Sequence, residues 1–461
     1  MTSSLALVQR GIRVDALAGV LCELGRVEQL ADLGQNGPLL ASAGVDSLFH
    51  CLFGRDAIRM AMDLLDDFPA VAHGTLLELA RLQGVAHDAT SEEEPGRMLH
   101  EFRYPDDPHA VRLAERGWTF PYYGAVDTTP QWVNLLAAYC ARYGLEILDE
   151  GVTDRLWRSL RVRDSLLAAL AWIAGRLDDP RGSGFVWVQR SNPLGIANQV
   201  WEDSADSHYH ADGRLLDPRL PFAPVAVQGY AYDALLSGAA LLDATPQPLP
   251  FDARWLGDRA AALRQRFLAE FWLADLGTFA QAVTFRADGT PRAARVVGSA
   301  AGHVLDSRLL EGEDAAAMRA ALVARLAESD LLAGAGMRTK STTAARFRAG
   351  AYHNGSTWPM DTGVIADGLR RWGNLVFASD LEERILASCR FVGGFPEFLR
   401  GDPDGSIAVN TAVVDAVVDG AMNRLEQPPQ ANQGWTATRV WRILRRYGLW
   451  LDNSALRARR I

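Results

Sequence analysis

The chain has 461 residues, 48% of them hydrophobic and 22% charged, the balance of a globular protein with enough apolar surface for a large core. Its 47 Lys and Arg against 56 Asp and Glu leave a net charge of -9, which excludes a general nucleic-acid binder, because that needs a basic face. No apolar run reaches the ~18 residues of a membrane span. The opening segment makes a poor signal peptide. Cys22, Cys51, Cys140 and Cys389 form no CxxC pair and no metal-ligand spacing. The expectation is a cytoplasmic protein with buried free thiols and no bound metal or cofactor.

Apolar residues at helical spacing predict helices near 13–32, 56–67, 74–84, 129–144, 153–177, 226–242, 256–272, 300–310, 314–329, 358–373, 378–391 and 432–451. One stripe runs through Trp132, Leu135, Leu136, Tyr139, Cys140 and Tyr143; another runs through Val440, Ile443, Leu444, Tyr447 and Leu451. Both read as core-facing. The acidic run Ser91-Glu-Glu-Glu-Pro95 reads as a solvated loop. Gly184–Gln189 and Thr278–Phe285 are strand-like and bounded by turn residues, Arg181-Gly-Ser-Gly184 and Ala287-Asp-Gly-Thr290, so they read as hairpins between helices. No linker divides the chain, and no short repeat marks a solenoid. The reading is one all-α domain over residues 1–461 in which helix pairs close on themselves.

The GxxxxGK[ST], HExxH, GxSxG and GxGxxG signatures are absent. What stands out are loops rich in carboxylate, amide, imidazole and indole groups, where sites are built. Phe53-Gly-Arg-Asp56 pairs a donor and an acceptor that suit vicinal hydroxyls. His100-Glu-Phe-Arg103 and Tyr122-Tyr-Gly-Ala-Val-Asp-Thr-Thr-Pro130 follow, with a threonine assigned to cap the next helix and Asp127 left for a ligand. Asn198-Gln-Val-Trp-Glu-Asp-Ser-Ala-Asp-Ser-His-Tyr-His210 is the densest segment. Then come Val227-Gln-Gly-Tyr230, Tyr352-His-Asn-Gly-Ser-Thr-Trp-Pro-Met-Asp361 and Gly393-Gly-Phe-Pro-Glu-Phe398. Together they describe a wet, aromatic-lined pocket with several carboxylates. That suits carbohydrate chemistry: indole faces stack on a pyranose, polar side chains bind its hydroxyls, and two carboxyl groups act as acid and base.

In order and number, these segments resemble the bacterial and archaeal amylo-α-1,6-glucosidase (glycogen-debranching-type) proteins, among the six-hairpin glycosidases related to glucoamylase. The resemblance spans roughly residues 46–450. It implies an (α/α)6 toroid, between whose helices the short β-hairpins are inserted. Because the motifs begin by residue 53, the expectation departs from the family in having no separate N-terminal β-domain, which favours a small glycoside or oligosaccharide over polymeric glycogen. The resemblance also implies an exo-acting, inverting glycoside hydrolase releasing glucose from an α-glucoside or short oligosaccharide. It assigns Asp203 as general acid, with its proton affinity raised at working pH, and Glu397 as general base, with Asp206 and Asp361 in reserve. Arg55 and Asp56 grip the sugar in this scheme. Glu101, Arg103, Tyr123, Asp127, Trp201, Glu202, Gln228, His353, Asn354 and Trp358 complete the substrate-binding set. Glu202 stands where the family has lysine, and Asn432-Gln-Gly-Trp435 replaces a Pro-Gln-Ala-Trp-like segment. The partner is a small carbohydrate or glycoside, with no nucleic acid and no membrane. Alternatives are a mannosidase, a hydrolase of a glucosylated small solute, a sugar isomerase or epimerase using His208, His210 and His353, and a carbohydrate-binding protein without catalysis.

Overall fold

The computed structural model describes residue 20 and residues 37–448, apart from 45–46, 116, 246–250, 287–288, 411 and 419–420; over 412–427 the backbone alone is described. The helix expected near 13–32 falls, but for Val20, outside the described residues, as do Cys22 and Leu451. The described α-helices are α1 Gly54–Leu64, α2 Pro69–Arg81, α3 Pro108–Ala114, α4 Thr128–Tyr143, α5 Val162–Asp178, α6 Val225–Asp243, α7 Ala253–Glu270, α8 Ala316–Leu326, α9 Pro359–Arg371, α10 Leu375–Val392 and α11 Gly434–Arg446. None of them is long and apolar enough to cross a membrane. The described cysteines Cys51, Cys140 and Cys389 are free and buried. Burial pushes the Cys140 thiol up to about 11 and the Cys389 thiol up to about 12.

The structure corrects several elements. α5 starts only at Val162, because Gly151–Thr153 and Ser159–Arg161 pair antiparallel ahead of it. The helix expected over 300–310 is two 3-10 segments, Ser299–Asp306 and Arg308–Leu310; Ser307 ends the first, and its Oγ accepts from Leu309 N at 3.0 Å. Gly184–Gln189 contributes a single bridge, Val188 to Phe222. Thr278–Phe285 divides in two: Thr278–Phe279 pairs with Trp272–Leu273, and Ala282–Phe285 joins Phe222–Pro224 and Pro291–Ala294 in a three-stranded antiparallel sheet. α3 was not expected, although Asp107 accepts from His109 N at 2.7 Å and Pro108 opens the helix, both standard start signals. A hairpin of Ala412–Val418 and Ala421–Gln427, in register from Ala412 opposite Gln427 to Val418 opposite Ala421, was also not expected.

By packing, the described chain forms two compact units. The first takes in the residues up to Thr75 and from Leu326 onward; the second is Leu76–Arg325. In the first, α1, α9 and α11 meet around buried ions. Asp63 on α1 pairs with Arg439 at 2.9 Å and with Arg442 at 3.2 Å. Asp367 on α9 pairs with Arg439 and with Arg446, the latter at 2.8 Å. Glu382 on α10 takes Arg370, Arg446 and, at 2.6 Å, the Tyr447 hydroxyl. Burial alone would raise the Asp367 carboxyl, but the guanidinium groups of Arg439, Arg442 and Arg446 outweigh it and hold it far below the usual range. Gly363 lets α11 approach: a Cβ there would lie 2.7 Å from Arg439 Cδ. The apolar faces of α9, α10 and α11 bury Ile365, Leu369, Leu381, Ile385, Val440 and Ile443.

The second unit packs α4, α5, α6 and α7 over a core that includes Trp132, Leu136, Leu166, Leu170, Leu235, Leu256 and Leu263. Phe267 closes it, stacked at 4.7 Å on Phe271 and 4.9 Å from Phe279. The acidic run at 91–95 is not a solvated loop, since Glu92 and Glu93 are buried. Glu92 accepts from the backbone of Ser191 and Asn192 at 2.8–2.9 Å. Glu93 accepts from Val85 N at 2.7 Å and Ala86 N at 3.1 Å and pairs with Arg155. Glu94 binds Trp172 Nε1 at 2.5 Å and pairs with Arg176. Burial opposes ionisation of Glu94, yet Arg97 and Arg176 bring its carboxyl below the usual value. Each charge is paired or hydrogen-bonded, the condition for burying one.

Candidate active site

Every expected site residue is buried except Asp203, which is half-buried. They fall into two groups, one in each unit.

In the second unit the loop 198–208 is knitted to its surroundings. Asn198 Nδ2 donates to Ser204 O at 2.7 Å and to Ser207 Oγ at 3.0 Å, and Ser207 Oγ donates to Glu202 O at 2.5 Å. Val126 N donates to Gln199 O at 2.8 Å, fixing the segment that carries Asp127 beside this loop. A cleft lies here, and its walls include Asp127, Trp201, Glu202, His208, Tyr230 and Gln281. Trp201 stacks on His303 at 5.5 Å and 13°, and His303 Nδ1 lies 2.5 Å from the Tyr230 hydroxyl. Asp203 follows directly on the two cleft residues Trp201 and Glu202. Asp206 accepts from Ser204 Oγ at 3.2 Å.

Asp127 occupies the position before α4, but its side chain makes no capping bond. No threonine caps the helix either: Thr128 and Thr129 are already helical, and Thr129 Oγ1 accepts from Met98 N at 3.0 Å. Gln228 has another task than expected. Its Oε1 accepts from Val186 N at 3.1 Å, and its Nε2 donates to Val186 O at 2.8 Å and Pro224 O at 2.9 Å. The amide thus ties strand to helix, and it does not line the cleft. Tyr123 likewise donates to Leu82 O at 2.8 Å, and burial holds its hydroxyl above the usual range. Glu101 and Arg103 pair with each other, and Arg103 also reaches Asp107 at 3.1 Å. His208 Nδ1 lies 2.9 Å from Ser207 Oγ, and its ring packs on Phe222 at 5.1 Å. Among the described residues no group of three or more His, Cys, Asp or Glu is arranged to hold a metal ion.

In the first unit Glu397 is 3% exposed. Its segment is clamped to the one before α11. Phe395 N donates to Ala431 O at 3.0 Å, Glu397 N to Gln430 O at 2.9 Å, Gln433 N to Phe395 O at 2.8 Å and Thr436 Oγ1 to Pro396 O at 2.8 Å. The carboxylate receives the Tyr352 hydroxyl at 2.5 Å and Gln430 N at 3.0 Å. Arg55 and Asp56 lie in the first turn of α1, and Asp56 accepts from Gln433 Nε2 at 3.0 Å. Trp358 donates from Nε1 to Tyr352 O and Ser356 Oγ, each at 3.0 Å, and stacks on His353 at 5.0 Å and 15°. Trp435 meets Trp358 edge-on at 5.9 Å. Asn354 and Asp361 are buried beside this group, Asn354 O accepting from Arg348 N at 2.9 Å. The first unit thus gathers Asp56, His353, Trp358 and Glu397. The sequence reading left Tyr352, Gln430 and Gln433 without roles here, and it gave none in the second unit to Tyr230, Gln281 or His303.

The family model of the mannosylglycerate hydrolase MGH1-like glycoside hydrolase domain matches residues 113–405. The chain belongs to this family. It is therefore a glycoside hydrolase. The match is to this family and not to the debranching-type proteins, so the resemblance drawn from the motifs holds for the enzyme class and is corrected at the level of the family. No curated protein sequence matches the chain. Among solved structures it is similar to the GH63 mannosylglycerate hydrolase from Thermus thermophilus in complex with Tris and D-glycerate, at 16% identity and TM-score 0.57, covering 92% of this chain and 100% of that one. The same enzyme in complex with glucose gives 16% identity and TM-score 0.55 over 90% and 99%. A structure described as a wild-type glycosidase gives 14% and 0.54 over 96% and 97%. These likenesses establish the fold class of this glycoside hydrolase as the expected all-α (α/α)6 type.

Proposed function

We propose that the chain is an exo-acting, inverting hydrolase of a small α-hexoside, with Asp203 as general acid and Glu397 as general base. The observation that carries the assignment of the base is the setting of Glu397. Two donors, the Tyr352 hydroxyl and Gln430 N–H, point at a buried carboxylate, and both favour its ionised form. An ionised carboxylate can take the proton from an attacking water. Asp203 supplies the proton to the departing glycosidic oxygen. Water enters on the face opposite the leaving group, so the anomeric configuration inverts in one step. The Trp201 indole offers an apolar face to a pyranose, Asp56 and Asp127 accept from its hydroxyls, and Arg55 donates.

The substrate is an α-glucoside or short oligosaccharide. A second reading, a hexoside of a small hydroxy acid, is favoured by the family's name and by the D-glycerate in the Thermus enzyme. The buried free thiols support a reducing compartment, and we place the protein in the cytoplasm. The test is a panel of α-glucosides, disaccharides and hexosyl hydroxy acids assayed for release of free monosaccharide. Asp203→Asn and Glu397→Gln should each lower kcat by about 10²- to 10⁴-fold, the worth of a general acid or base, with smaller changes in KM. An unchanged kcat in either variant removes that residue from the mechanism and directs the search to Asp206 or Asp361. A different sugar formed without hydrolysis would make the protein an isomerase.

A further inference from the structure

We infer that Gln281 is a substrate-binding residue whose side-chain oxygen accepts one hydroxyl of a hexose held in the cleft of the second unit. The inference rests on the reading above that this cleft receives the sugar.

Gln281 immediately precedes Ala282–Phe285, the central strand of the three-stranded sheet, and its backbone is pinned on both sides. Its N donates to Ala294 O at 3.2 Å, and its O accepts from Val225 N at 3.0 Å. The side chain lines the cleft and is 4% exposed. Its Nε2 donates to Ser207 O at 3.0 Å, in the loop that carries Trp201, Glu202 and His208. That bond decides which end of the amide is which: with the amide turned over, Oε1 would face the Ser207 carbonyl, two acceptors in contact. The oxygen is therefore the end turned away from Ser207; it is buried, and it has no hydrogen-bond partner among the described residues.

Buried acceptors are almost always paired, because leaving one unpaired costs its full desolvation. The same amide type at Gln228 has its oxygen and nitrogen engaged by backbone. Gln281 also differs from Gln228 in lining the cleft, and the two observations together make its oxygen an acceptor for a ligand there. A hexose suits the wall it belongs to. Each hydroxyl both donates and accepts, so several can donate at once to Asp127, Glu202 and Gln281 while a ring face meets Trp201 or Tyr230. Because Gln281 reads one hydroxyl and not the ring as a whole, it acts as a specificity residue.

The test reads binding, not turnover, so it stands apart from the acid and base assignments. Glucose, mannose and galactose are titrated calorimetrically into the full-length protein, followed by the monodeoxy series of the hexose that binds best. In the wild type, removal of one particular hydroxyl should weaken binding about tenfold, the worth of a neutral hydrogen bond. Gln281→Met should weaken the parent hexose by the same factor and lose sensitivity to that position alone, keeping every other deoxy penalty. Gln281→Leu, which also lacks an acceptor, should show the same selective loss, and it serves if the Met variant does not fold. The inference is overturned if no hexose binds the wild type, if the Met variant binds like the wild type, or if all deoxy penalties persist in it. The last result would assign the oxygen to a resident water. Loss of turnover in Asp203→Asn with these binding results intact would leave both readings standing. Full turnover in Asp203→Asn would remove only the acid assignment.

Discussion

Tyr352→Phe probes the base without touching its carboxylate. In the native site Glu397 receives two hydrogen bonds, from the Tyr352 hydroxyl at 2.5 Å and from Gln430 N at 3.0 Å. The variant deletes the shorter one and leaves the ring, which packs edge-on against Trp358 at 4.8 Å and Phe398 at 5.0 Å, so the pocket keeps its shape. A hydrogen bond to a charged group contributes about 1.5–3 kcal/mol. One pH unit of proton affinity corresponds to about 1.36 kcal/mol. The lost bond stabilised the ionised form, so protonation becomes easier, and the acid limb of the kcat/KM profile should move up by about one to two pH units. Activity near neutrality should fall less than activity at pH 5. The assay is the pH dependence of kcat/KM on the best substrate of the panel, with wild type and variant side by side. An acid limb that stays in place, or moves down, would refute Glu397 as the ionised base.

Two further variants test structural assignments. Asp367→Asn leaves the buried Arg439 short of a counter-charge, and breaking such a pair costs about 3–5 kcal/mol, read as a lower urea midpoint at pH 7. Because the folded carboxyl is held below its unfolded value, its contribution is present above that value and lost as pH falls through the folded one; the gap between wild type and variant should narrow below about pH 4, and a constant gap would contradict the ion network. Gln228→Leu strands the buried N–H and C=O of Val186 and should cost on the order of 3 kcal/mol of stability, with hexose affinity of the folded protein unchanged. A stable variant with weakened hexose binding would return Gln228 to the sugar site.

The long helices were legible because their burial is periodic. Trp132, Leu135, Leu136 and Cys140 of one stripe and Val440, Ile443 and Leu444 of the other face the core as their spacing requires, while Tyr139 and Tyr447 are half-buried and Tyr143, at the end of α4, is exposed. The motif residues were legible because rare polar groups crowd into loops. What could not be read was pairing across sequence distance. Glu94 lies 82 positions from Arg176, so the acidic run resembled a solvated loop when it is a buried and neutralised one. Single amides carry no periodicity, so nothing separated Gln228, a backbone tie, from Gln281, an amide on the cleft wall. The Asp107-Pro108 start of α3 and the Val-Val-Asp-Gly run ending at Gly420 are short signals without a periodic stripe beside them.

The most direct measurement is proton NMR of the first-formed product from an α-linked hexoside, followed faster than mutarotation. Single displacement by water between a proton donor and a proton acceptor predicts that the β-anomer accumulates first. Initial accumulation of the α-anomer would mean a covalent glycosyl intermediate, and it would contradict the roles given to Asp203 and Glu397 together.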